Sequence, residues 1–495
     1  MAQRDDQPAS LAPVTSGRVT SEQPTSEQVV DLVTSRRWHL VGVGGPGMTP
    51  LAVLLQAAGQ TVTGSDLRPS PTLVRLTERG IMVRVGHDPA AVEGCDVVVY
   101  STAVPADNPE LVAARAAGIR VCHRSVALAS LCAATRAVGV AGAHGKTTTA
   151  ALLALMLRTA GEGVADYIGA TVLDPRVGDG PASAAFVPDL REPGSTLVIE
   201  ADESDGTIDA LPLAGIAVTN VDIDHLDHWG DFDGLVDGFA RIVGRVGVAG
   251  GTVVLNADDP SSVRIDPGGR TVRRFGWSAR ADVRIESCAD TDDGIDVVMS
   301  VGRSSVRCAL PLRGAHNAMN LACAVAMATA SGVDPADACR AVETFGGVER
   351  RFTEMGRRSG ALIIDDYAHL PAEIEATLAA AAAHPDRRGS LVAVFQPNRF
   401  HRIAAMADEY GPVFGRADAV IITDIYASGT APIPGVTGKL VANAVARSHH
   451  NVVWAPSRAD VVREVSALLA PGAVCVAMGC GDIATLWDDL NAGGA

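Results

Sequence analysis

From Trp38 onward, short β-branched runs alternate with Ala/Leu-rich stretches of helical length, and the alternation recurs in three successive blocks. Parallel strands need a long crossover to return to the same edge, so this pattern predicts an α/β chain of parallel sheets wrapped by helices. At 495 residues the chain is too long for one hydrophobic core. In the first block, the runs 38–44, 60–66, 81–86 and 95–102 read as strands, and LAVLLQAAG, closed by Gly59, reads as a helix. The second opens with a strand, a tight glycine turn and a helix over 137–161 and continues with strands at 196–202, 214–220 and 251–259. Two alternating runs, IDVVMSVG and SVRCALPL, then predict an antiparallel hairpin before a helix over 316–332. The third block places strands at 360–369, 389–398, 418–427 and 472–482. The resulting units are 38–135, 136–352 and 353–495. Residues 1–37, rich in Ser, Thr, Gln, Pro and charge, predict a disordered tail with no signal-peptide core, and 171–195 predicts a surface loop.

Forty-one Lys and Arg against 57 Asp and Glu leave a net charge of −16, which argues against broad binding to nucleic acid or anionic membrane. No apolar run reaches spanning length. Nine cysteines, an odd number with no C-x-x-C pair, predict reduced, buried thiols in a cytoplasmic protein with no disulfide frame and no zinc knuckle.

The strongest local signal is Gly142-Ala143-His144-Gly145-Lys146-Thr147-Thr148-Thr149 between a buried strand and a helix. Glycines let amide groups converge on phosphate oxygens at the helix N-terminus, Lys146 reaches the outer phosphates and Thr147 ligates magnesium. The spacing is one residue short of the strict phosphate-loop pattern. The strand 196–200 ends in Glu200-Ala201-Asp202-Glu203, which offers Glu200 as the first candidate for the same metal. Asn220 to His228 reads N-V-D-I-D-H-L-D-H. Without a third ligand or a cysteine this is not a zinc site, and His225 suits a second magnesium beside an anionic substrate, with a hydrogen-bonded polar turn as the plain alternative. Gly42-Val43-Gly44-Gly45-Pro46-Gly47 follows the first strand, and Asp66 ends the next one. That is the pattern of a nucleotide diphosphate cradle with an acid for a ribose, although Pro46 removes one amide donor.

Ten motifs occur in an order that resembles the Mur ligases: GVGGPGM, GSD, GAHGKTTT, EADESD, NVDIDHLD, GAHNAMN, RRF, DDYAH, FQPNRFHR and MGCGD. The resemblance spans residues 38 to 485. It implies a Rossmann-like N-terminal domain for a UDP-sugar, a central phosphate-loop ATPase domain and a Rossmann-like C-terminal domain that closes over ATP. It implies ATP and Mg2+, a carboxylate substrate such as UDP-N-acetylmuramate, and an amino-acid acceptor, with L-alanine favoured. The carboxylate is activated as an acyl phosphate and attacked by an amine, in peptidoglycan precursor synthesis.

By resemblance, Gly142, His144, Gly145, Lys146, Thr147 and Thr148 hold phosphates, while Thr147, Glu200 and His225 hold metal. Asn317 and Asn320 lie on the adenine side, and Arg351 and Asp366 complete the nucleotide site. Gly44, Gly45, Gly47, Met48, Asp66 and His144 face the UDP-sugar, and His369, Asn398 and Arg402 face the acceptor. The family usually reads D-D-Y-x-H-H-P and F-Q-P-H, where this chain has Leu370 and Asn398. Asparagine carries no titratable proton, so an altered acceptor is a live reading. A paralogue acting on another amino acid or carboxylate, a non-catalytic UDP-sugar and ATP sensor, and a nicotinamide oxidoreductase built on the first glycine loop are the alternatives. The last leaves the central phosphate loop unexplained.

Overall fold

The computed structural model describes residues 29–161, 163–173, 188–202, 207–223, 229–247 and 251–492. Three sheets follow one another along the chain. The first is fully parallel: β1 (Arg37–Val41), β2 (Thr61–Asp66), β3 (Met82–Val85), β4 (Val97–Tyr100) and β5 (Arg120–His123), in the order β3-β2-β1-β4-β5. β1 pairs with β2 on one side and β4 on the other, so the glycine loop after it leaves at the point where strand order reverses. This is the crevice in which open α/β sheets bind ligands.

The central sheet has nine strands: β6 (Arg136–Ala141), β7 (Val164–Tyr167), β8 (Thr196–Glu200), β9 (Gly215–Val218), β10 (Thr252–Asn256), β11 (Thr271–Gly276), β12 (Val283–Thr291), β13 (Gly294–Val301) and β14 (Ser304–Leu310). Their order is β14-β13-β12-β11-β10-β9-β6-β8-β7. The expected hairpin is present as β13 and β14, and β12 extends it into a three-stranded antiparallel end. β6 lies between β8 and β9 in parallel register, a second reversal point, with the phosphate loop at its carboxyl end.

The third sheet comprises β15 (Thr353–Arg358), β16 (Ala361–Asp366), β17 (Leu391–Phe395), β18 (Ala419–Ile422), β19 (Val452–Trp454) and β20 (Val474–Met478), in the order β15-β16-β20-β17-β18-β19. It is parallel except for β15. The sequence reading missed β5, β7, β11, β12, β15 and β19. Several of these are edge or half-exposed strands whose side chains lack a continuous apolar run.

Apolar packing divides the molecule unevenly. One continuous core runs from Val30 through the first sheet into the central unit, ending at Ile265. The C-terminal unit has its own clusters, drawn from Leu362 onward. Two expectations are corrected. The tail does not run unstructured to 37: Val30 is buried, its amide donates to Ser130 Oγ, and Val29 and Leu32 pack on the same core. Residues 1–28 lie outside the described residues. The thiols are not all free either: Cys308 on β14 and Cys339 on the helix Pro335–Val342 form a disulfide, with Cα atoms 4.9 Å apart. Strand and helix pack face to face there, a tertiary approach that spacing along the chain does not encode.

Candidate active site

The phosphate loop is held by the two residues that follow β9. Asn220 Oδ1 accepts from the His144 amide at 2.9 Å, while Asn220 Nδ2 and Thr219 Oγ1 both donate to the His144 carbonyl. Gly145 sits at φ +78°, and a Cβ there would strike the Asn320 side chain, so only glycine fits. The helix Lys146–Thr159 then starts with its amides facing the loop, an anion-ready terminus. Lys146 Nζ folds back on the Gly142 carbonyl at 2.6 Å. Thr147 Oγ1 donates to Glu200 Oε1 at 2.6 Å, and Glu200 Oε2 takes the Gly169 amide at 2.9 Å.

A cavity of about 290 Å³ opens beside this loop, between the central and C-terminal units. His144, Gly145, Thr148, Asn317, Asn320, Arg351 and Asp366 all line it, so seven of the residues singled out from sequence share one space. Asn320 Nδ2 donates to Asn317 Oδ1 at 3.0 Å, fixing two amides on one face of the helix Ala315–Ala330. Arg351 lies over the Tyr367 ring at 5.0 Å and reaches Thr147 Oγ1 at 3.5 Å. Asp366, buried at the end of β16, accepts the Phe352 and Ala368 amides, each at 2.7 Å. Burial raises its carboxyl to about 6 against the opposing pull of Arg351.

Among the cavity's lining residues, two titratable side chains were not singled out from the sequence, His316 and Glu373. Burial, with Arg351 nearby, pushes the His316 ring down to about 4, so it is a neutral acceptor or donor beside Asn317. Glu373 lies against His144 and Arg351. His316 lies inside the GAHNAMN motif itself, and Glu373 lies four residues beyond DDYAH, so the only hint for each was its nearness to residues already recognised.

The remaining candidates lie apart from this cavity. In the first unit, Asp66 Oδ2 accepts the Gly44 amide at 2.9 Å and braces the glycine loop. Gly45 and Met48 lie in the same turn, where Met48 is buried and its amide bonds the Gly45 carbonyl. Tyr167 of β7 donates to the Gly47 carbonyl at 3.0 Å, and Arg124 Nη1 meets the Tyr167 hydroxyl at 3.1 Å, so the central unit touches this loop directly. In the third unit, buried Asn398 accepts from Arg402 Nη1 at 2.7 Å, and His369 does not line the cavity but touches Glu373, which does. Leu370 is buried, so an apolar side chain fills the place of the family's second histidine. His225 lies outside the described residues.

Three family profiles match along the chain: Mur ligase family, catalytic domain over residues 37–136, Mur ligase middle domain over 140–328, and Mur ligase, glutamate ligase domain over 350–481. The chain belongs to the Mur ligase family. Among curated relatives, a UDP-N-acetylmuramate–L-alanine ligase from Kineococcus radiotolerans is 40% identical, covering 94% of this chain and 98% of its own. One of the same name from Acidothermus cellulolyticus is 39% identical, covering 94% and 97%. Among solved structures, the UDP-N-acetylmuramate-alanine ligase of Thermotoga maritima superposes with a TM-score of 0.71 at 24% identity, covering 92% of this chain and 98% of its own. That likeness shows the shared fold: this Mur ligase has three α/β units, as its motif order implied.

Proposed function

We propose that this Mur ligase joins L-alanine to the carboxylate of UDP-N-acetylmuramate at the expense of ATP, as a cytoplasmic step of peptidoglycan precursor synthesis. The observation that carries the reading is the convergence of the phosphate loop, Asn317 and Asn320, Arg351 and Asp366 on one cavity, in a chain whose near-full-length curated relatives share that activity in their names. No helix among the described residues is long and apolar enough to cross a membrane.

Phosphoryl transfer between anions calls for positioning and charge neutralisation rather than a nucleophilic side chain. We assign the γ-phosphate to Lys146, Arg351 and the amides of Gly142, Gly145, Thr147 and Thr148. Adenine goes to Asn317 and Asn320, and Asp366 closes the nucleotide site from the C-terminal unit. The diphosphate of the sugar nucleotide goes to the loop Gly44, Gly45, Gly47 and Met48, with Asp66 bracing it. The muramoyl carboxylate oxygen attacks the γ-phosphorus, ADP leaves, and an acyl phosphate forms. The alanine amine then attacks the acyl carbon, and the tetrahedral intermediate collapses to amide and phosphate.

Thr147 and Glu200 offer a hydroxyl and a carboxylate already in contact, hard oxygen donors that suit magnesium completed by substrate phosphates. We assign Mg2+ to Thr147 and Glu200, with His225 serving a second ion. When bound it neutralises charge on the transferred phosphoryl group.

A second reading, a paralogue with a different acceptor, is favoured by Leu370 and by the Asn398–Arg402 pair in the place where the family has histidines. The test is phosphate release from ATP, Mg2+ and UDP-N-acetylmuramate with L-alanine, glycine, L-serine or no amino acid, and the amide confirmed by mass. Alanine-dependent release supports the first reading. Release with another amine and none with alanine replaces it by the second.

A further inference from the structure

The C-terminal unit meets the phosphate loop through polar groups, and Glu373 stands at the centre of that contact. It occupies the third position of the helix Pro371–Ala382, where a glutamate ordinarily caps the helix. One oxygen does so: Oε2 accepts the His369 amide at 2.9 Å and the Leu370 amide at 3.2 Å. The other turns outward, with Oε1 3.4 Å from His144 Nδ1 and 4.0 Å from Arg351 Nη1. On its far side the His144 ring places Nε2 2.8 Å from Asp222 Oδ2. Both His144 and Glu373 are largely buried, and His144 Nδ1 is a buried polar atom with no hydrogen-bond partner at ordinary distance.

An imidazole with a carboxylate oxygen at each nitrogen is doubly protonated, because a neutral ring would aim a lone pair at one of the anions. Helix capping requires neither this orientation nor a charge. We propose that Glu373 is a positioning residue for phosphoryl transfer: its Oε1 fixes the His144 imidazolium at the mouth of the phosphate loop. Because Glu373 rides on the C-terminal unit, the cationic face of the loop is complete only when that unit is docked. The inference rests on the ligase reading and deepens it. His369, assigned to the acceptor side, hangs on the same carboxylate at 3.3 Å, so acceptor and phosphate sites share one anchor.

The electrostatics agree. Burial pulls His144 down, but Asp222 and Glu373 outweigh it and hold the ring up at about 9. The Glu373 carboxyl is pushed up by burial and drawn well below its ordinary value by His369, His144 and Arg351. Lys146 on the loop itself, neutral His316 on the helix Ala315–Ala330, and Asp366 and Tyr367 at the end of β16, both of which feel the Glu373 charge, are further titratable groups near this contact.

The test uses the full chain and two variants, with thermal unfolding as a check on folding. Glu373→Gln keeps a carbonyl for the cap and removes the charge, whereas Glu373→Asp keeps the charge on a shorter arm. Glu373→Gln is expected to lower kcat about 10- to 100-fold with a smaller change in KM for ATP, and Glu373→Asp to recover part of it. An alkaline fall of kcat that follows loss of the His144 proton is expected in the parent and should move to lower pH in Glu373→Gln. A readout without turnover is the NMR titration of labelled histidine, with His144 assigned through His144→Gln: its midpoint drops in Glu373→Gln. An unchanged midpoint together with kcat within about twofold of the parent overturns the proposal. A shifted midpoint in a parent protein that releases no phosphate with any amine sinks the ligase reading and leaves the hold of Glu373 on His144 standing.

Discussion

Thr147 Oγ1 and Glu200 Oε1 lie 2.6 Å apart in a direct hydrogen bond, so the first turn of the phosphate-loop helix is locked to the end of β8. Thr147 came from a glycine-rich motif and Glu200 from an acidic strand end 53 residues later. Their contact turns two separate sequence signals into one oxygen-rich corner facing the Arg351 guanidinium, which reaches Thr147 at 3.5 Å.

Replacing Glu200 by Gln keeps the hydrogen bond from Thr147 and removes the charge a divalent ion requires. Turnover should fall about 100- to 1,000-fold, the scale seen when a group that stabilises transition-state charge is lost. Phosphate release measured across a magnesium titration checks this. Activity near the parent level at every magnesium concentration would remove Glu200 from the metal site.

Asn398 should matter for the acceptor and not for ATP. Its amide oxygen holds the buried Arg402 guanidinium at 2.7 Å, and Asn398→Ala takes that acceptor away from a charge that burial has already stripped of water. The expected result is about a tenfold or greater rise in KM for the amino acid, with KM for ATP little changed. Equal effects on both substrates would show that the pair only supports the fold. Asn398→His addresses the departure itself, since a titratable ring in this place would make acceptor binding depend on pH where asparagine does not.

The Cys308–Cys339 bond closes a 31-residue separation between β14 and the helix Pro335–Val342. Reduction should lower the stability of the central unit by about 2–4 kcal/mol. Unfolding by denaturant with and without a reducing agent, read alongside mass analysis of the thiols, measures it. Identical transitions with a bonded pair in the starting material would mean that packing alone carries this corner. Both sulfurs are buried, so reduction is expected to follow opening of the unit rather than precede it.

What the sequence made legible, and what it hid, follows from the range of the interactions. The strand, glycine turn and helix over 137–161 are local, and they fold as read because Gly145 must adopt a positive φ and the strand before it is apolar and buried after Arg136. The hairpin β13–β14 was readable from its alternation. β11 and β19 were not, since they sit half-exposed and borrow their place from neighbours. Seven residues carried by ordered motifs line one cavity, whereas His369, Asn398 and Arg402, also carried by motifs, lie apart from it. Glu373 and Cys339, by contrast, gain their meaning from partners 229 and 31 positions away, His144 and Cys308, and no periodicity announces such a meeting.

In the first unit, Glu110 offers a prediction with a sign set by linkage. Its side chain is buried; Oε2 accepts from Ser65 Oγ at 2.5 Å and lies 3.6 Å from His39 Nε2, while Oε1 takes the Asp88 amide at 3.1 Å. Burial raises the carboxyl, but His39, Ser65 and the Asp88 amide prevail and bring it from 4.5 down to about 2. A carboxyl depressed on folding stabilises the native state above its unfolded value and loses that contribution as pH falls toward the folded one. Glu110→Gln should therefore be less stable than the parent near neutrality, and the gap should narrow between about pH 4.5 and about 2, where the protonated parent comes to resemble the amide. Denaturant unfolding at a series of pH values measures the gap. A difference that stays constant through that window would mean that the carboxylate's charge contributes nothing, and that the variant is weakened only because an amide cannot reproduce the Ser65 and Asp88 hydrogen bonds.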